Sequence, residues 1–191
     1  LICFGRKRQK RKKLKKVELK EITTQNFKEC INLKVADSQN SFVATNIMTI
    51  AQAKIIFPSA NLKAIYADDK MVGFTMFGLD EDDGKYYLGR LMIDEKHQGK
   101  GYGKSAVLEI IEKMRELNDC WEIYLSFVPE NVGAERLYES VGFVRTGELN
   151  GSEIVMRCVI EKTTIQNQKS KIELCFQKLS ESAIFLSQLT A

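Results

Sequence analysis

The sequence predicts one α+β domain, built on a mixed β-sheet with helices packed against it. Strand-like apolar runs and amphipathic helical segments follow one another in the order β-α-α-β-β-β-α-β-α-β-β between residues 17 and 160. The repeated βαβ units that build a doubly wound fold are missing from this order. The chain has 191 residues, 44% hydrophobic and 28% charged, which is enough for one such domain with a real core and extensions.

The first strand and two helices come from the N-terminal part of this domain. The segment VELKEI, residues 17–22, alternates apolar and polar side chains, which is typical of a half-buried strand. Thr23 or Thr24 can cap the helix that follows. A second helical region is predicted for 40–53, before Pro58 interrupts the chain.

Three further strands are predicted in succession. The runs 62–67 and 71–77 are apolar and flank the tight turn DDK. The acidic turn LDEDDGK, residues 79–85, leads into a third strand over 86–93.

The last third of the domain alternates helices with strands. Apolar residues at helical spacing predict two helices, and Gly142 suits the end of the second one. The predicted elements are a helix over 101–117, a strand over 121–127, a helix over 131–140, and strands over 143–146 and 154–160.

Charge divides the chain into three parts. Residues 1–16 carry nine Lys and Arg and no acid, whereas 17–160 carry 16 basic and 22 acidic residues, a net charge of −6. A single-sign run predicts a basic, disordered extension, and residues 6–16 lack the interleaved aromatics of a nucleic-acid arm. The negative body favours a cationic ligand over nucleic acid. Residues 161–191 are predicted to form an appended tail, which could be helical.

Several classes of protein do not fit this composition. No apolar run approaches the length of a membrane span, and the start lacks the pattern of a secretory signal. Five widely spaced cysteines indicate buried thiols rather than a disulfide framework, and a single histidine, His97, excludes a histidine-based metal cluster. We therefore expect a cytoplasmic protein without a metal site.

A glycine-rich stretch, QGKGYGKS at 98–105, follows the strand over 86–93 and opens a helix. A nucleoside triphosphate loop, G-x-x-x-x-G-K-[ST], would need glycine at 98, where the chain has Gln98. The dinucleotide fingerprint G-x-G-x-x-G would need glycine at 104 or 106, where Lys104 and Ala106 stand. Both patterns are therefore disfavoured.

The pattern Q/R-x-x-G-x-G/A does fit this stretch, through Gln98, Gly101 and Gly103. Glycines let the backbone approach an anion closely, and successive N–H groups together with the helix dipole attract negative charge. Lys100 and Lys104 add positive charge nearby. The stretch therefore predicts a site for a phosphorylated ligand.

A second motif, ENVGAERLYESVGF at 130–143, lies on the following helix. It matches N-x-x-A-x-x-L-Y-x-x-x-G-F at Asn131, Ala134, Leu137, Tyr138, Gly142 and Phe143. Together the two motifs and the element order of 17–160 resemble the GNAT superfamily of N-acetyltransferases, most of all its bacterial diamine, spermidine and spermine N-acetyltransferases. The segments MVGFTMFG, RLMIDEKHQGKGYGK and IYLSFVPEN share this resemblance.

The resemblance implies a GNAT fold: a mostly antiparallel, twisted sheet with one splayed strand pair and about four flanking helices. It also implies acetyl-CoA as co-substrate. The backbone of one splayed strand and a side chain on the second motif would hold its pantetheine arm, and the glycine-rich loop would hold its pyrophosphate. The implied cofactor-binding residues are Leu91, Met92, Ile93, Gln98, Gly99, Lys100, Gly101, Tyr102, Gly103, Lys104 and Asn131.

The resemblance further implies that Tyr138 is the catalytic general acid, which protonates the leaving thiolate. Plain structural roles also suit these motif residues, because Asn131 can simply cap its helix and Tyr138 can be a core aromatic residue. Many GNAT enzymes carry a glutamate base on the strand before the loop. The strand over 86–93 has no carboxylate, so no base is predicted.

The acceptor implied by the resemblance is a polyamine, and the segment 39–46 would help to line its site. Candidate acids for binding such a cation are Glu81, Asp82, Asp83, Glu148 and Glu153. Alternatives are an acetyltransferase for a protein or antibiotic amine, or a CoA-binding module without catalysis. By the same resemblance we expect a homodimer.

Overall fold

The computed structural model of the chain describes residues 15–162. Most of the basic extension and of the C-terminal tail lies outside the described residues, so both remain predictions. The strands are β1 (Glu18–Glu21), β2 (Asn61–Ala67), β3 (Lys70–Leu79), β4 (Tyr86–Ile93), β5 (Glu122–Phe127), β6 (Val144–Asn150) and β7 (Glu153–Val159). The α-helices are α1 (Phe27–Asn32), α2 (Asn46–Ile56), α3 (Tyr102–Arg115) and α4 (Val132–Glu139).

The seven strands form one sheet in the order β1-β2-β3-β4-β5-β7-β6. Neighbours are antiparallel except β4 and β5, which run parallel because the chain crosses over through α3 between them. The β2–β3 turn places Asp68 and Asp69 at positive φ, 48° and 62°, as a two-residue hairpin turn requires. The predicted mixed, mostly antiparallel sheet is confirmed.

The parallel pair β4 and β5 is splayed. The two strands pair only at their first residues, Tyr86 with Ile123 and Tyr87 with Tyr124, and then diverge. A bulge at Gly89 bends β4 at this point, since Met76 of β3 pairs with Arg90 and the next residue already pairs with Leu88. Among residues 15–162, no strand pairs with the remainder of β4 on its β5 side.

Two apolar layers cover the two faces of the sheet. On one face, α3 and α4 pack over β5 and β7, where Ile123, Leu125 and Phe127 alternate with side chains that face the other way. On the opposite face, Cys30 of α1 packs with Phe74 and other buried residues against β2, β3 and β4. Each fully buried apolar side chain of this kind stabilises the fold by about 1.5–3 kcal/mol.

The N-terminal helices begin later than the sequence predicted. Residues 37–39 form a short 3-10 turn, and α2 starts after Thr45, whose hydroxyl accepts the backbone N–H of Met48 at 3.4 Å. Neither Thr23 nor Thr24 caps α1, because the turn that follows them puts Asn26 at the N-cap position. The Asn26 side chain makes no capping hydrogen bond to the helix.

The closing hairpin is longer than predicted. Strand β6 continues to Asn150, so the turn before β7 shrinks to Gly151 and Ser152. The pairing of β6 with β7 shifts register between Arg145 and Leu149, which lets the strand extend past an irregular middle.

The cysteines behave as the sequence predicted within the described residues. Cys30, Cys120 and Cys158 are buried and free. Burial raises the pKa of Cys30 and of Cys120 to about 11, so both are uncharged thiols at neutral pH. As for membranes, none of the helices between residues 15 and 162 has both the length and the apolar character that a span requires.

Candidate active site

A cleft of about 700 Å³ opens where β4 and β5 diverge. The glycine-rich loop and the start of α3 form one end, and the segment between α1 and α2 closes over another side. Ten of the eleven predicted cofactor-binding residues and the predicted general acid line it. They are Leu91, Met92, Ile93, Gln98, Gly99, Gly101, Tyr102, Gly103, Lys104, Asn131 and Tyr138.

The edge of β4 supplies backbone groups to this cleft. Leu91, Met92 and Ile93 lie beyond the last β4–β5 pair, so their peptide groups on that side lack a neighbouring strand within the described chain. Unpaired strand edges readily bind an extended ligand through main-chain hydrogen bonds. The apolar side chains of these residues pack into the core and do not compete for that role.

The glycine-rich loop turns the chain sharply into α3. Gly99 and Gly101 have φ of 71° and 90°, a left-handed conformation that side chains disfavour. Gly101 is also the N-cap residue of α3, and no side chain caps the helix start. The first-turn N–H groups therefore remain available to an anion at the end of a 14-residue helix.

The lysines of the loop have different positions. The Lys104 ammonium donates a hydrogen bond to the Ser140 carbonyl at 2.9 Å, which ties α3 to the end of α4 beside the cleft. Lys100 is the one predicted cofactor-binding residue that does not line the cleft, and its ammonium bonds the Lys96 carbonyl at 2.7 Å.

Gln98 holds the loop in place. Its side-chain amide donates to the Ile93 carbonyl at 2.9 Å and to the Gln39 side chain at 2.8 Å. The Gln98 side chain therefore links the loop to the end of β4 and to the segment between α1 and α2. The single histidine, His97, lies next to it and contacts the buried Asp94 carboxylate through Nδ1 at 3.2 Å.

Helix α4 delivers Tyr138 to the cleft. The Asn131 side chain accepts the N–H of Ala134 at 3.1 Å, so Asn131 is indeed the cap of this helix as well as a lining residue. Gly142, at φ 103°, ends the turn after the helix.

The Tyr138 ring is buried, but its hydroxyl has no partner among residues 15–162. The ring packs between Phe127 and Phe143, with centroids 6.3 and 5.8 Å away. Burial raises the pKa of Tyr138 to about 12, and the positive charge of Arg90 opposes part of that rise. The hydroxyl therefore stays protonated at neutral pH and is free to donate its proton.

Of the predicted cation-binding acids, Glu153 alone lines the cleft. Its carboxylate accepts a hydrogen bond from the Ser126 hydroxyl, and both side chains lie on the sheet face opposite α3 and α4. The other four candidates, Glu81, Asp82, Asp83 and Glu148, lie outside. Sequence reasoning missed Asp80, which does line it.

Three residues of the segment predicted to line the acceptor site do reach the cleft: Gln39, Phe42 and Val43. Asn46 instead is buried, and its side chain donates to the Cys30 carbonyl at 2.8 Å. The segment thus combines a cleft wall with an anchor in the core.

Arg90 is a second cleft residue that sequence reasoning missed. It is the one charged residue of the strand YYLGRLMI. This isolated charge was the signal in the sequence that could have pointed to Arg90. Its Nε is fully buried and has no hydrogen-bond partner among the described residues. Burial lowers the pKa of Arg90, whereas the nearby Glu153 and Tyr138 raise it.

The described residues contain no group of three or more His, Cys, Asp and Glu side chains placed to hold a metal ion. The lining of the cleft offers a protonated phenol, a guanidinium, carboxylates and backbone N–H groups.

Comparison with known proteins identifies a family and relatives that this chain resembles. The sequence model of the acetyltransferase (GNAT) family matches residues 30–143. The spermine/spermidine N(1)-acetyltransferase of Bacillus subtilis (strain 168) is 35% identical over 149 residues, covering 74% of this chain and 97% of that enzyme.

Solved structures share the fold at low sequence identity. A spermidine N-acetyltransferase from Vibrio cholerae, solved with CoA and spermine, superposes with a TM-score of 0.59 at 19% identity, covering 76% of this chain and 96% of that one. AAC(6')-Ib, solved with ribostamycin and CoA, gives a TM-score of 0.62 at 16% identity over 75% and 93%. The expected likeness to bacterial polyamine acetyltransferases is confirmed, and with the family match over more than half of its length the chain belongs to the GNAT family of acetyltransferases.

Proposed function

We propose that this enzyme transfers the acetyl group of acetyl-CoA to a primary amine of a polyamine, such as spermidine, spermine or a diamine. The observation that carries the proposal is the cleft at the β4–β5 splay, where an uncapped helix start, a free strand edge and Tyr138 meet. The name and the 35% identity of the Bacillus subtilis relative support the polyamine as acceptor.

The residues around the glycine-rich loop fit the donor. The N–H groups of the loop and of the first turn of α3 suit a pyrophosphate, and the free edge of β4 at Leu91, Met92 and Ile93 suits the pantetheine amides. Asn131 lines the same cleft and keeps its amide nitrogen for the ligand, since its oxygen caps α4.

The acceptor end carries charges suited to an ammonium group. Glu153 and Asp80 line the cleft there, and residues 17–160 have a net charge of −6. An amine with a pKa near ~10.4 is almost wholly protonated at neutral pH, so it must lose a proton before it attacks. The Glu153 carboxylate holds the ammonium and orients it, while the proton leaves to water.

Tyr138 completes the reaction as general acid. The amine nitrogen bonds to the acetyl carbon, the carbon–sulfur bond breaks, and the sulfur takes the electron pair and then the phenolic proton. A pKa of about 12 keeps the Tyr138 proton in place until a basic thiolate forms beside it. The acetylated nitrogen gives its extra proton to water to become the amide, and the tyrosine regains its proton from water.

The domain assignment follows from the same site. Because every residue with a proposed role lies within 17–160, we propose that this part is the acetyltransferase domain, with 1–16 as a basic extension and 161–191 as an appended tail. We further propose that the enzyme acts as a homodimer, which sedimentation velocity of the full chain tests.

An acceptor panel tests the proposal. The full chain is incubated with acetyl-CoA and, separately, spermidine, spermine, putrescine, a peptide with a free N-terminus, and an aminoglycoside, and thiol release is measured. We expect the highest kcat/KM with a polyamine. Turnover of the peptide or the aminoglycoside alone would replace the polyamine as acceptor, and CoA binding without any turnover would leave a non-catalytic module.

A further inference from the structure

Arg90 occupies an unusual place for a cation. It follows the bulge at Gly89, on the stretch of β4 that has left β5, and it lines the cleft. The backbone there is fixed, because the Arg90 carbonyl accepts the Thr75 hydroxyl at 2.7 Å and Thr75 is fully buried. The backbone of Arg90 is therefore fixed at the wall of the proposed acetyl-transfer site.

The Arg90 side chain is partly buried, and its fully buried Nε has no hydrogen-bond partner among the described residues. Among residues 15–162, no carboxylate lies within ion-pair distance of Arg90 and no acceptor takes a hydrogen bond from its side chain. A buried donor without a partner costs about 1–3 kcal/mol, more for a charged group, and such an exception calls for an explanation, for example a catalytic role or a bound ligand. A ligand in the cleft can supply the missing partner, and a positive guanidinium favours a negative one.

The other charged groups that line the cleft limit which part of a ligand can pair with Arg90. The cleft-lining groups with charge are Asp80 at the end of β3, Glu153 on β7, and Lys104 on α3, with His97, Tyr87, Tyr102 and Tyr138 as titratable neighbours. Glu153 and Tyr138 are the groups whose electrostatic interaction with Arg90 is strongest. Arg90 thus shares the cleft with Glu153, the proposed acceptor-binding carboxylate, and with Tyr138, the proposed general acid.

We propose that Arg90 is a catalytic residue whose guanidinium stabilises the negative charge that passes to the CoA sulfur when the thioester breaks. This inference rests on the proposed acetyl transfer. The reaction creates negative charge on the carbonyl oxygen and on the sulfur, and the free N–H groups of β4 are available to the oxygen. Arg90 serves the sulfur, because it lines the same cleft as Tyr138 and interacts with it electrostatically, and Tyr138 is the group that gives the sulfur its proton.

The bond changes are simple. As the amine nitrogen attacks, the carbon–sulfur electron pair moves to the sulfur, whose charge faces the guanidinium, and the Tyr138 proton then neutralises it. Arg90 itself neither gains nor loses a proton, since an arginine guanidinium stays charged in proteins. A cation at this position also disfavours the charged form of a nearby amine, which helps the nucleophile to lose its proton.

The thiol of enzyme-bound CoA tests the proposal without any acceptor. The thiolate of bound CoA is titrated by its ultraviolet absorbance in the full-length protein, and the same titration with desulfo-CoA is subtracted to remove protein tyrosines and cysteines. We expect the Arg90→Met variant to raise the pKa of the bound thiol by at least about one pH unit, a tenfold change in its acid dissociation constant. Arg90→Lys, which keeps the charge, should restore part of the difference.

Steady-state kinetics gives a second readout. Arg90→Met should lower kcat by about 100-fold, as the loss of one charge-stabilising donor does, with KM for acetyl-CoA within threefold of the wild type. Arg157→Met is the matched control, because Arg157 pairs with Glu122 away from the cleft. It should change neither value.

The outcomes separate the two proposals. If the wild type does not bind CoA, the proposed donor is wrong and the Arg90 role falls with it. If CoA binds and its thiol titrates identically in the wild type and in Arg90→Met, the Arg90 role alone is wrong. Should Arg90→Met not fold, Arg90→Gln is used in its place and the same difference in thiol pKa decides.

Discussion

At the scale of single residues, the Tyr138 hydroxyl contrasts with those of Tyr86, Tyr87 and Tyr124. Each of these three donates to a carboxylate, Asp119, Asp83 or Glu122, and is thereby occupied. The Tyr138 hydroxyl faces the cleft without a described partner, so its proton is available for chemistry.

Replacing Tyr138 with phenylalanine should therefore affect catalysis and not binding. The ring contacts with Phe127 and Phe143 survive in Tyr138→Phe, so we expect an intact fold and a Kd for acetyl-CoA within twofold of the wild type. Loss of the general acid should lower kcat by roughly 100- to 10,000-fold. Calorimetry and initial rates measure the two values.

The control for this change is Tyr86→Phe, whose hydroxyl bonds Asp119 outside the cleft. It should leave kcat unchanged. The raised pKa of Tyr138, about 12, also predicts that the kcat profile shows no alkaline fall caused by this group below about pH 10. An unchanged kcat in Tyr138→Phe would remove it from the acid role.

Glu153 should determine acceptor affinity. Glu153→Gln keeps the size of the side chain and an oxygen for the Ser126 hydroxyl but loses the charge that faces the cleft. A charge-assisted hydrogen bond to an ammonium is worth about 1.5–3 kcal/mol, so KM for spermidine should rise at least tenfold. KM for acetyl-CoA should not change.

Glu148→Gln provides the comparison, since Glu148 is an exposed acid of β6 that does not line the cleft. It was as good a candidate as Glu153 in the sequence. Equal effects of the two substitutions on the KM of spermidine would mean that overall charge, and not the position of Glu153, attracts the acceptor.

At the scale of elements, the loop before α3 depends on one backbone conformation. A Cβ added at Gly101 would meet no atom within 4 Å, so Gly101→Ala changes only the cost of its φ of 90°. That cost is roughly 1–2 kcal/mol, which the loop can avoid only by moving the N–H groups at the helix start. We therefore expect acetyl-CoA affinity to fall about tenfold.

Gly147 is a close match for a control. It has φ of 88°, its added Cβ is equally unhindered, and it lies in β6 away from the cleft. Gly147→Ala should lower the free energy of unfolding by a similar amount and leave the Kd for acetyl-CoA unchanged. If both variants weaken acetyl-CoA binding equally, the loop conformation is not what holds the donor.

The elements also show what sequence can and cannot predict. The bounds of β4 were predicted correctly, because its apolar run ends at the loop motif and the signal is local. The placement of Glu153 and Arg90 depends on the bulge at Gly89 and on which way β7 faces after the register shift in β6. Both are tertiary features, so the motifs were enough to predict cleft-lining residues for the proposed donor site, whereas most of the acids predicted for the acceptor lie outside the cleft.

The predicted start of α2, at residue 40, was wrong for a related reason. Residues 40–45 have a helix-compatible composition, but Gln39 is held by Gln98 and Asn46 by the Cys30 carbonyl. These contacts, 59 and 16 residues apart in sequence, fix the segment as a cleft wall in a turn conformation. Tertiary contacts override local propensity in such cases.

At the scale of the whole molecule, the charge asymmetry predicts how the acceptor arrives. Residues 17–160 carry a net charge of −6 and residues 1–16 a charge of +9. Among residues 15–162, the first buried core residue is Val17, and no cleft-lining residue precedes Val35. Deleting residues 1–16 should therefore leave kcat and the KM of acetyl-CoA within twofold of the full chain.

The same asymmetry predicts an effect of salt. If the negative body attracts the polyamine, kcat/KM for spermidine should fall as ionic strength rises from about 0.02 to 0.5 M, because the Debye length shrinks well below the size of the domain. Removing the basic extension takes away a like charge, so the deletion variant should show a higher kcat/KM at low salt and a steeper fall. A slope that disappears with residues 1–16 would mean that the extension, and not the acidic body, governs the encounter.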